Sequence, residues 1–394
     1  MMLRYFSSVV LLLLVGSAVA EEVDVTTLAT KLKAVGPKGA GHREAIAAWR
    51  TLSKADVAQL PAILEGMKGA GKLSENWFRA AVESVAQTEL KRGGKLPIDG
   101  LEGFLGDTSQ SPRARRLAYE LIAGVDSSAE ERLIPGLLND PSLELRRDAV
   151  ALAISSAAEL EQAGKKETAA EQYQTAFNAA RALDQIKITS EKLRSLEQQV
   201  NIPVHMGFVT QWHLVGPFDN TNKQGFDVTY PPEKSVDLND SYKGKKAEVK
   251  WVSHVTKDQY GIVDLNVIFD RPKEGDSYKL TDDHKEAIAY AYSEFTASAA
   301  ADVDLRIGCI NANKVWLNGK LLTANQVYHA GMEVDQYLAQ GRLKSGKNSI
   351  LVKVCQNEQE ESWAQRWQFQ LRVCNHIGTA VLSKDRNANK TAAR

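Results

Sequence analysis

Residues 315–320 read Val315-Trp316-Leu317-Asn318-Gly319-Lys320, a turn signal set between two apolar runs. Asn and Gly both tolerate positive φ, so this pair predicts a two-residue β-hairpin. A second turn is predicted at Ser345-Gly346-Lys347-Asn348, followed by strand-like runs at 349–354 and 367–373. The first run has apolar residues at every second position, which predicts one apolar face. The second half of the chain is therefore expected to be an antiparallel β-domain.

Helical periodicity stops near Asn201-Ile202-Pro203, and the signals after this point are those of strands. Many short strands separated by turns are typical of a two-sheet sandwich, here expected to be of jelly-roll type. The β-domain is expected to span 204–378, with a disordered tail at 379–394. The further predicted strands lie at residues 208–218, 249–252, 287–295 and 303–310.

The preceding region, residues 21–200, has the apolar spacing of three and four that predicts successive α-helices. Its most specific part is 133–153, in which an Asp140-Pro141 turn separates two helical runs. This part resembles a HEAT repeat. Two long helices, predicted at 159–182 and 189–200, resemble a tetratricopeptide helix pair. Because such pairs bury their apolar faces by stacking on one another, a HEAT/TPR-like α-solenoid is expected.

Residues 1–20 have the composition of a signal peptide. Arg4 provides a positive charge, residues 9–15 form a short apolar run, and Ala18-Val19-Ala20 supplies small residues at a cleavage position. The apolar run is shorter than the about 20 residues that a membrane-spanning helix needs. We therefore expect cleavage near Ala20 and an exported protein, periplasmic or extracellular, without a membrane span.

The charges of the chain balance. Lys+Arg and Asp+Glu both number 49, which gives a formal net charge of zero. Binding to nucleic acid or to an anionic membrane surface depends on an excess of positive charge. The composition therefore argues against nucleic acid as a partner.

Three cysteines, Cys309, Cys355 and Cys374, lie in the predicted β-domain. Export permits disulfides, and Cys355 and Cys374 each end a predicted strand, so this pair is the candidate bridge. The alternative is that all three are small buried side chains in a sheet.

Three motifs of the β-domain occur together. They are Trp212-His213-Leu214-Val215-Gly216-Pro217-Phe218, the hairpin sequence at 315–320, and Gly346-Lys347-Asn348 before the run at 350–354. In this combination the chain is similar to galactose-binding-like jelly-roll domains, of the type attached as a sugar-binding sandwich to family 2 glycoside hydrolases. The order of HEAT-like repeats followed by such a module also resembles that of exported proteins of planctomycete-type bacteria. The resemblance covers 208–378 and implies a non-catalytic accessory or carbohydrate-binding role.

The polar loop before the last predicted strand contains a candidate ligand site. Trp363 lies there without apolar neighbours to bury it, and an exposed Trp can stack on the face of a sugar. Arg366, Asn357 and Glu358 are the candidate hydrogen-bond partners for sugar hydroxyl groups. The run Tyr328-His329 is a second polar-aromatic candidate. The alternatives are that Trp363 folds back over the sandwich edge and that Tyr328-His329 is structural.

The sequence contains no phosphate-binding loop, nucleophile elbow or zinc-protease motif. No cofactor is expected, although a structural calcium ion held by loop oxygen atoms is compatible with a jelly roll. We therefore expect an exported, non-catalytic protein in which a helical scaffold for protein contacts is joined to a carbohydrate-binding β-domain. Its partner is then a glycan or a protein. Two alternatives stay open: a purely structural assembly protein without a sugar site, and an unrecognised glycan hydrolase or its accessory subunit.

Overall fold

The computed structural model describes residues 24–269, 284–359, 361 and 366–388. The chain divides into two compact units between Leu133 and Ile134. The first unit contains helices, and the second contains further helices followed by antiparallel sheets, so the chain is an α+β protein. Among the helices of the described residues, none combines the length and the apolar character needed to cross a bilayer.

The first unit is built of amphipathic helices. In its second helix, Ala45, Ala48 and Leu52 are buried at spacings of three and four, which places them on one face. Asp24 accepts a hydrogen bond from the Thr27 N–H and caps the first helix. The predicted helical character of this region is confirmed. The helices are α1 (Val25–Lys33), α2 (His42–Leu52), α3 (Leu60–Glu65), α4 (Lys72–Lys91), α5 (Ile98–Gly106), α6 (Pro112–Ala123) and α7 (Ala129–Leu133).

The second unit begins with four helices: α8 (Leu143–Gln162), α9 (Lys166–Ala179), α10 (Leu183–Ser195) and α11 (Ile202–Met206). The sequence predicted one long helix over 159–182, but the structure has a break inside this range. Gly164 adopts a φ of 76° directly after α8, a left-handed conformation that commonly ends a helix.

The sheets of the second unit are antiparallel throughout. A six-stranded sheet has the order β4-β1-β6-β11-β8-β9, a four-stranded sheet has the order β10-β7-β12-β5, and β2 pairs with β3. The strands are β1 (Gln211–Asp219), β2 (Ser241–Lys243), β3 (Glu248–Lys250), β4 (Val252–Val255), β5 (Val263–Asp264), β6 (Ala287–Ala297), β7 (Ala301–Cys309), β8 (Ala312–Leu317), β9 (Lys320–Asn325), β10 (Tyr337–Leu343), β11 (Gly346–Cys355) and β12 (Gln368–Cys374). Three short helices accompany them: α12 (Pro231–Lys234), α13 (Leu265–Phe269) and α14 (Lys384–Ala388).

The predicted hairpin is confirmed. Asn318 and Gly319 have φ values of 53° and 77°, and Leu317 pairs with Lys320 across the turn between β8 and β9. Two successive positive φ values are those of the turn type that Asn-Gly favours. Of the second predicted turn, at 345–348, residues 346–348 already belong to β11, and residues 344 and 345 connect β10 of the four-stranded sheet to β11 of the six-stranded sheet.

The two larger sheets face each other across one apolar core. Ile350, Val352 and Val354 of β11 are fully buried in it, as the predicted alternation required. Leu305 and Ile307 of β7, in the opposite sheet, belong to the same core. The apolar face predicted for β11 is therefore the face that joins the sheets.

The outer face of the six-stranded sheet is buried as well. Leu351 and Cys355 of β11 pack there with Phe218 of β1 and Tyr290 of β6. Phe226, in the segment between β1 and β2, packs on them from outside. The alternation in β11 predicted one apolar face, and the structure has two covered faces because this segment lies over the sheet.

Helices α8–α11 belong to the same unit as the sheets, whereas the sequence placed a boundary near 201–203. One apolar cluster accounts for the difference, because it joins Phe177 of α9 to Phe208 just before β1. The guanidinium of Arg372 in β12 also donates to the Met206 carbonyl of α11, at 3.1 Å. A loss of helical periodicity marks where helices end, and contacts continue past that point.

Residues 379–388, predicted as the start of a disordered tail, are held by specific contacts in the structure. The Thr296 backbone N–H of β6 donates to the Ser383 hydroxyl at 2.8 Å, and the Thr296 hydroxyl donates to Asp385 at 2.6 Å. Arg386 donates to the Phe208 carbonyl. The polar composition of this segment hides the partners that it meets in the fold. Residues 389–394 lie outside the described residues.

All three cysteines are free and buried in the structure. Cys355 ends β11 in one sheet and Cys374 ends β12 in the other, and the predicted bridge between them is not formed. Burial raises the pKa of Cys309 and of Cys355 to about 12, and it also raises the pKa of Cys374. The thiols thus correspond to the alternative interpretation, small buried side chains in a sheet.

Candidate functional site

Three segments meet at one end of the six-stranded sheet. β1, β11 and β9 run in the same direction, because a single antiparallel strand separates each from the next. Their carboxyl ends therefore lie at the same end of the sheet. The segments that continue from them start at Asn220, Gln356 and Gln326. Residues far apart in sequence are brought together here.

The predicted runs Tyr328-His329 and Asn357-Glu358 meet at this end. His329 Nε2 and Asn357 Oδ1 are 2.9 Å apart. Asn220 Nδ2 donates to the Tyr328 hydroxyl at 3.3 Å and to the Gln356 carbonyl at 2.7 Å. We call the group Asn220, Lys223, Tyr328, His329, Asn357 and Glu358 the end cluster.

Lys223 brings a positive charge to the aromatic part of the end cluster. Its Nζ lies 3.0 Å from Glu358 Oε1 and 5.5 Å from the centroid of the Tyr328 ring. The pKa of Glu358 is lowered, first by a hydrogen bond from the backbone N–H of Glu358 and then by one from the Lys223 side chain. Burial raises the pKa of Tyr328 to about 12. At neutral pH the cluster therefore presents an ammonium, a carboxylate and a neutral phenol.

Buried amides hold the end cluster in place. Asn311 Nδ2 donates to Gln356 Oε1 at 2.7 Å and to the Arg366 carbonyl at 3.1 Å. Gln356 Nε2 donates to the same carbonyl at 3.2 Å. Asn220 is fully buried, and its Oδ1 has no hydrogen-bond partner among the described residues. This oxygen can accept a hydrogen bond from a ligand hydroxyl group or from a water molecule.

The predicted ligand residues are brought together as far as the structure describes them. Tyr328, His329, Asn357 and Glu358 converge through their side chains, and Arg366 is fixed through its backbone while its side chain is exposed. Trp363, on which the predicted stacking depends, lies outside the described residues.

The end cluster combines an aromatic ring with charged donors and acceptors. Lys223 and Glu358 are partly exposed, with side-chain exposures of 42% and 50%, and Tyr328 is half-buried between them and Asn220. An aromatic face beside fixed polar groups suits ligands that carry both apolar C–H faces and hydroxyl groups. Within the described residues, no group of three or more His, Cys, Asp or Glu side chains is arranged to hold a metal ion.

A buried ion pair that the sequence did not predict anchors the neighbouring segment. Lys353 of β11 is fully buried, and its Nζ lies 2.9 Å from Glu233 Oε1 and donates to the carbonyls of Phe226 and Val228 at 3.1 and 2.8 Å. Tyr290 donates its hydroxyl to the same carboxylate. Burial lowers the pKa of Lys353. A lysine inside an otherwise apolar strand was the available signal.

No family model and no curated protein matches this chain. A β-glucosidase from Kluyveromyces marxianus, solved with glucose, is 18% identical over 36% of this chain and 16% of its own length, with a TM-score of 0.23. An anti-sigma factor domain-containing protein is 14% identical over 40% of this chain and 49% of its own, with a TM-score of 0.24. A GH31 α-xylosidase from Xanthomonas citri is 10% identical over 42% of this chain and 16% of its own, with a TM-score of 0.19. The chain spans less than half of each of these proteins, and likenesses at such TM-scores support no argument about fold or function.

Proposed function

We propose that this protein is an exported, non-catalytic binding protein whose β-sheets form a galactose-binding-like jelly roll with a glycan site at the end cluster. The proposal includes a HEAT/TPR-like arrangement of the helices, which would serve protein contacts, and removal of residues 1–20 on export. Amino-terminal sequencing of the exported protein tests the last point, and the expected first residue is Glu21.

The observation that carries the proposal is the convergence of Tyr328-His329 with Asn357-Glu358. These runs were singled out separately for their polar and aromatic character, and in the fold they share hydrogen bonds at one end of the sheet. Apolar packing alone does not require a partly exposed tyrosine between a lysine and a carboxylate. The supporting amides Asn311 and Gln356 are buried, which limits their freedom and pre-organises the cluster.

Sugar hydroxyl groups need both donors and acceptors. In the end cluster, the Lys223 ammonium donates, the Glu358 carboxylate accepts, and the Tyr328 hydroxyl can do both. Hydrogen bonds to charged groups are worth about 1.5–3 kcal/mol each, so the loss of the Lys223–Glu358 pair should weaken binding about tenfold or more.

A glycan-array screen of the full exported chain tests the proposal, with and without calcium. The informative variant is the double substitution Lys223→Gln and Glu358→Gln, because both side chains are partly exposed. The matched control is Lys347→Gln with Glu294→Gln, an exposed pair 3.4 Å apart on β11 and β6. We expect glycan binding that the first variant loses and the control keeps.

Two other outcomes are informative. Glycan binding that survives the Lys223/Glu358 variant would place the sugar site elsewhere, and a Trp363→Ala variant would then be tested. No binding to any glycan would reject the sugar site and favour the assembly protein, to be tested by pull-down from the exported fraction.

A further inference from the structure

A cavity lies among the helices of the same unit, away from the end cluster in sequence. An open cavity of about 240 Å³ is formed by the first turn of α8, the first turn of α10 and the residues just before α10. A single buried water needs about 10–15 Å³ of the same kind of volume, so the cavity can hold a small solute. Most of its surface is apolar, and three of its four charged side chains are arginines: Arg146, Arg147 and Arg181.

Two of these arginines form no ion pair with a carboxylate within the described residues. Arg146 donates to the Asp140 carbonyl at 2.8 Å and to the Ala179 carbonyl at 3.4 Å. Arg181 donates to backbone carbonyls of residues 178–180 and to the Thr379 hydroxyl at 3.2 Å. The ion pairs formed within the described part of the chain include neither guanidinium. A positive charge that is taken out of water without a counter-ion is costly, and an anion would offset that cost.

The pKa of Arg181 is lowered, as expected for a buried positive charge that lies near other positive charges. Burial, and then the like charges of Arg146 and Arg372, lower the pKa of Arg181 from 12.5 to about 10. Burial also lowers the pKa of Arg146, and the nearby charge of Asp140 offsets this only in part. The two guanidinium groups therefore repel each other across a partly dry site.

The helix ends add to the same field. α8 has 20 residues and α10 has 13, and both begin at the cavity. The residue before α10, Ala182, provides no side-chain cap. Helix amino termini carry unpaired N–H groups and partial positive charge, which favour bound anions. Three carboxylates oppose this field. Asp140 lies near Arg146, Glu144 is exposed, and Asp184 is paired with Arg147 at 2.5 Å and accepts hydrogen bonds from backbone N–H groups in the first turn of α10.

Gln185 adds a buried hydrogen-bond acceptor to the cavity lining. This residue lines the cavity and is 5% exposed. Its Nε2 donates to the Arg147 carbonyl at 2.8 Å, whereas its Oε1 is buried and has no partner in the described part of the chain. An acceptor beside arginines suits an anion that also carries a proton. Protonated phosphate has such an O–H group, and sulfate at neutral pH has none.

We propose that this cavity binds a phosphate group, as the free ion or as a phosphate monoester, between Arg146 and Arg181. The proposal is independent of the glycan site, because it uses none of the residues of the end cluster.

Isothermal titration of the full exported chain at low salt tests it, with inorganic phosphate, glycerol 2-phosphate and sulfate as probes. We expect one phosphate per chain and weaker binding of sulfate. Arg181→Gln should weaken phosphate binding about tenfold or more, because hydrogen bonds between charged groups are the strong ones. Arg342→Gln, in the exposed pair with Asp302, is the control and should leave binding unchanged.

A second pair of variants leaves the buried contacts intact. Leu143 lines the cavity and is 46% exposed, so its side chain can be replaced without opening a core. Leu143→Glu should weaken phosphate binding and Leu143→Lys should strengthen it, each by several-fold. The absence of phosphate binding, or affinities unchanged in Arg181→Gln and in both Leu143 variants, would overturn the site. Equal affinity for sulfate would overturn the assignment to phosphate. Tighter binding of glycerol 2-phosphate would identify an ester as the ligand, and tighter binding of inorganic phosphate would identify the free ion.

Discussion

Mild acid should destabilise the second unit through His205. The ring of His205 in α11 packs 4.3 Å from the ring of Phe177, and its Nε2 is 3.0 Å from the Ala180 carbonyl. Burial first, and then the charges of Arg181 and Arg372, lower the pKa of His205 from 6.5 to about 4, although the hydrogen bond to the Ala180 carbonyl opposes the shift. The unfolded chain therefore binds a proton here at a pH at which the folded chain does not.

The sign and size follow from these two values. Between a pH of about 6.5 and about 4, the unfolded state holds more protons at His205, so the contribution of His205 to stability falls as the pH falls through this window and is constant above it. Between a pH of about 7.5 and about 5, a shift from 6.5 to about 4 corresponds to a loss of about 2 kcal/mol in the free energy of unfolding.

Urea unfolding at these two pH values measures the loss. His205→Gln keeps an N–H donor for the Ala180 carbonyl and cannot be protonated, so it should lose about 2 kcal/mol less than the natural chain. His376→Gln removes an exposed histidine and should behave like the natural chain. Equal losses in the natural chain and in His205→Gln would refute the reasoning. So would a His205 resonance that titrates above a pH of about 6 in NMR spectra.

Three further predictions concern the β-sheets. Lys353→Met should destabilise the unit by about 3–5 kcal/mol in urea unfolding, because it leaves the Glu233 carboxylate buried without its partner. Adding Glu233→Gln should restore most of this loss, and a double variant no more stable than the single one would contradict the pairing. A thiol reagent should modify none of the buried cysteines Cys309, Cys355 and Cys374 in the native chain and all three after denaturation without reductant; a single reactive thiol after denaturation would instead reveal a bridge. Gly319→Ala should destabilise the chain by about 1 kcal/mol or more in thermal unfolding, because the backbone at Gly319 has a φ of 77°. No atom within 4 Å crowds the position, so the cost comes from the backbone alone. The control is Gly103→Ala, inside α5 with open space around it, which should be neutral or stabilising.

Local chemistry made part of the fold predictable. Asn318-Gly319 determines its own turn, because few other residue pairs accept two positive φ values. The alternation in residues 349–354 likewise identified which side chains enter the core between the sheets. In both cases the information lies within a few residues of sequence.

The remaining features depend on contacts between distant segments. Lys353 lies in an apolar strand, and only the Glu233 carboxylate and the carbonyls of Phe226 and Val228, all more than a hundred residues earlier, explain why it can be buried. Apolar contacts cross the boundary expected near 201–203 for a similar reason, since Phe208 follows α11 yet packs with Phe177 of α9. Periodicity reports the shape of a segment and not the partner that covers it.

The candidate site shows the same division. The residue types at Tyr328, His329, Asn357 and Glu358 suggested a polar ligand, but their proximity follows from the strand order, in which β11 lies two strands from β1 and from β9. Lys223 and Asn220 were missed because they follow β1, which precedes β11 by more than a hundred residues. No spacing rule connects such positions.

The cluster that joins Phe208 to α9 also has a consequence for how this protein can be inherited and recombined. A genetic exchange that moved only the sheets to a new host protein would leave Phe208, together with the partly buried Tyr260 and Val334, without the helices that cover them. The transferred sheets would expose this apolar surface in the new host protein. The segment that can be exchanged as one folded unit therefore begins near residue 134 and includes α8–α11 together with the sheets.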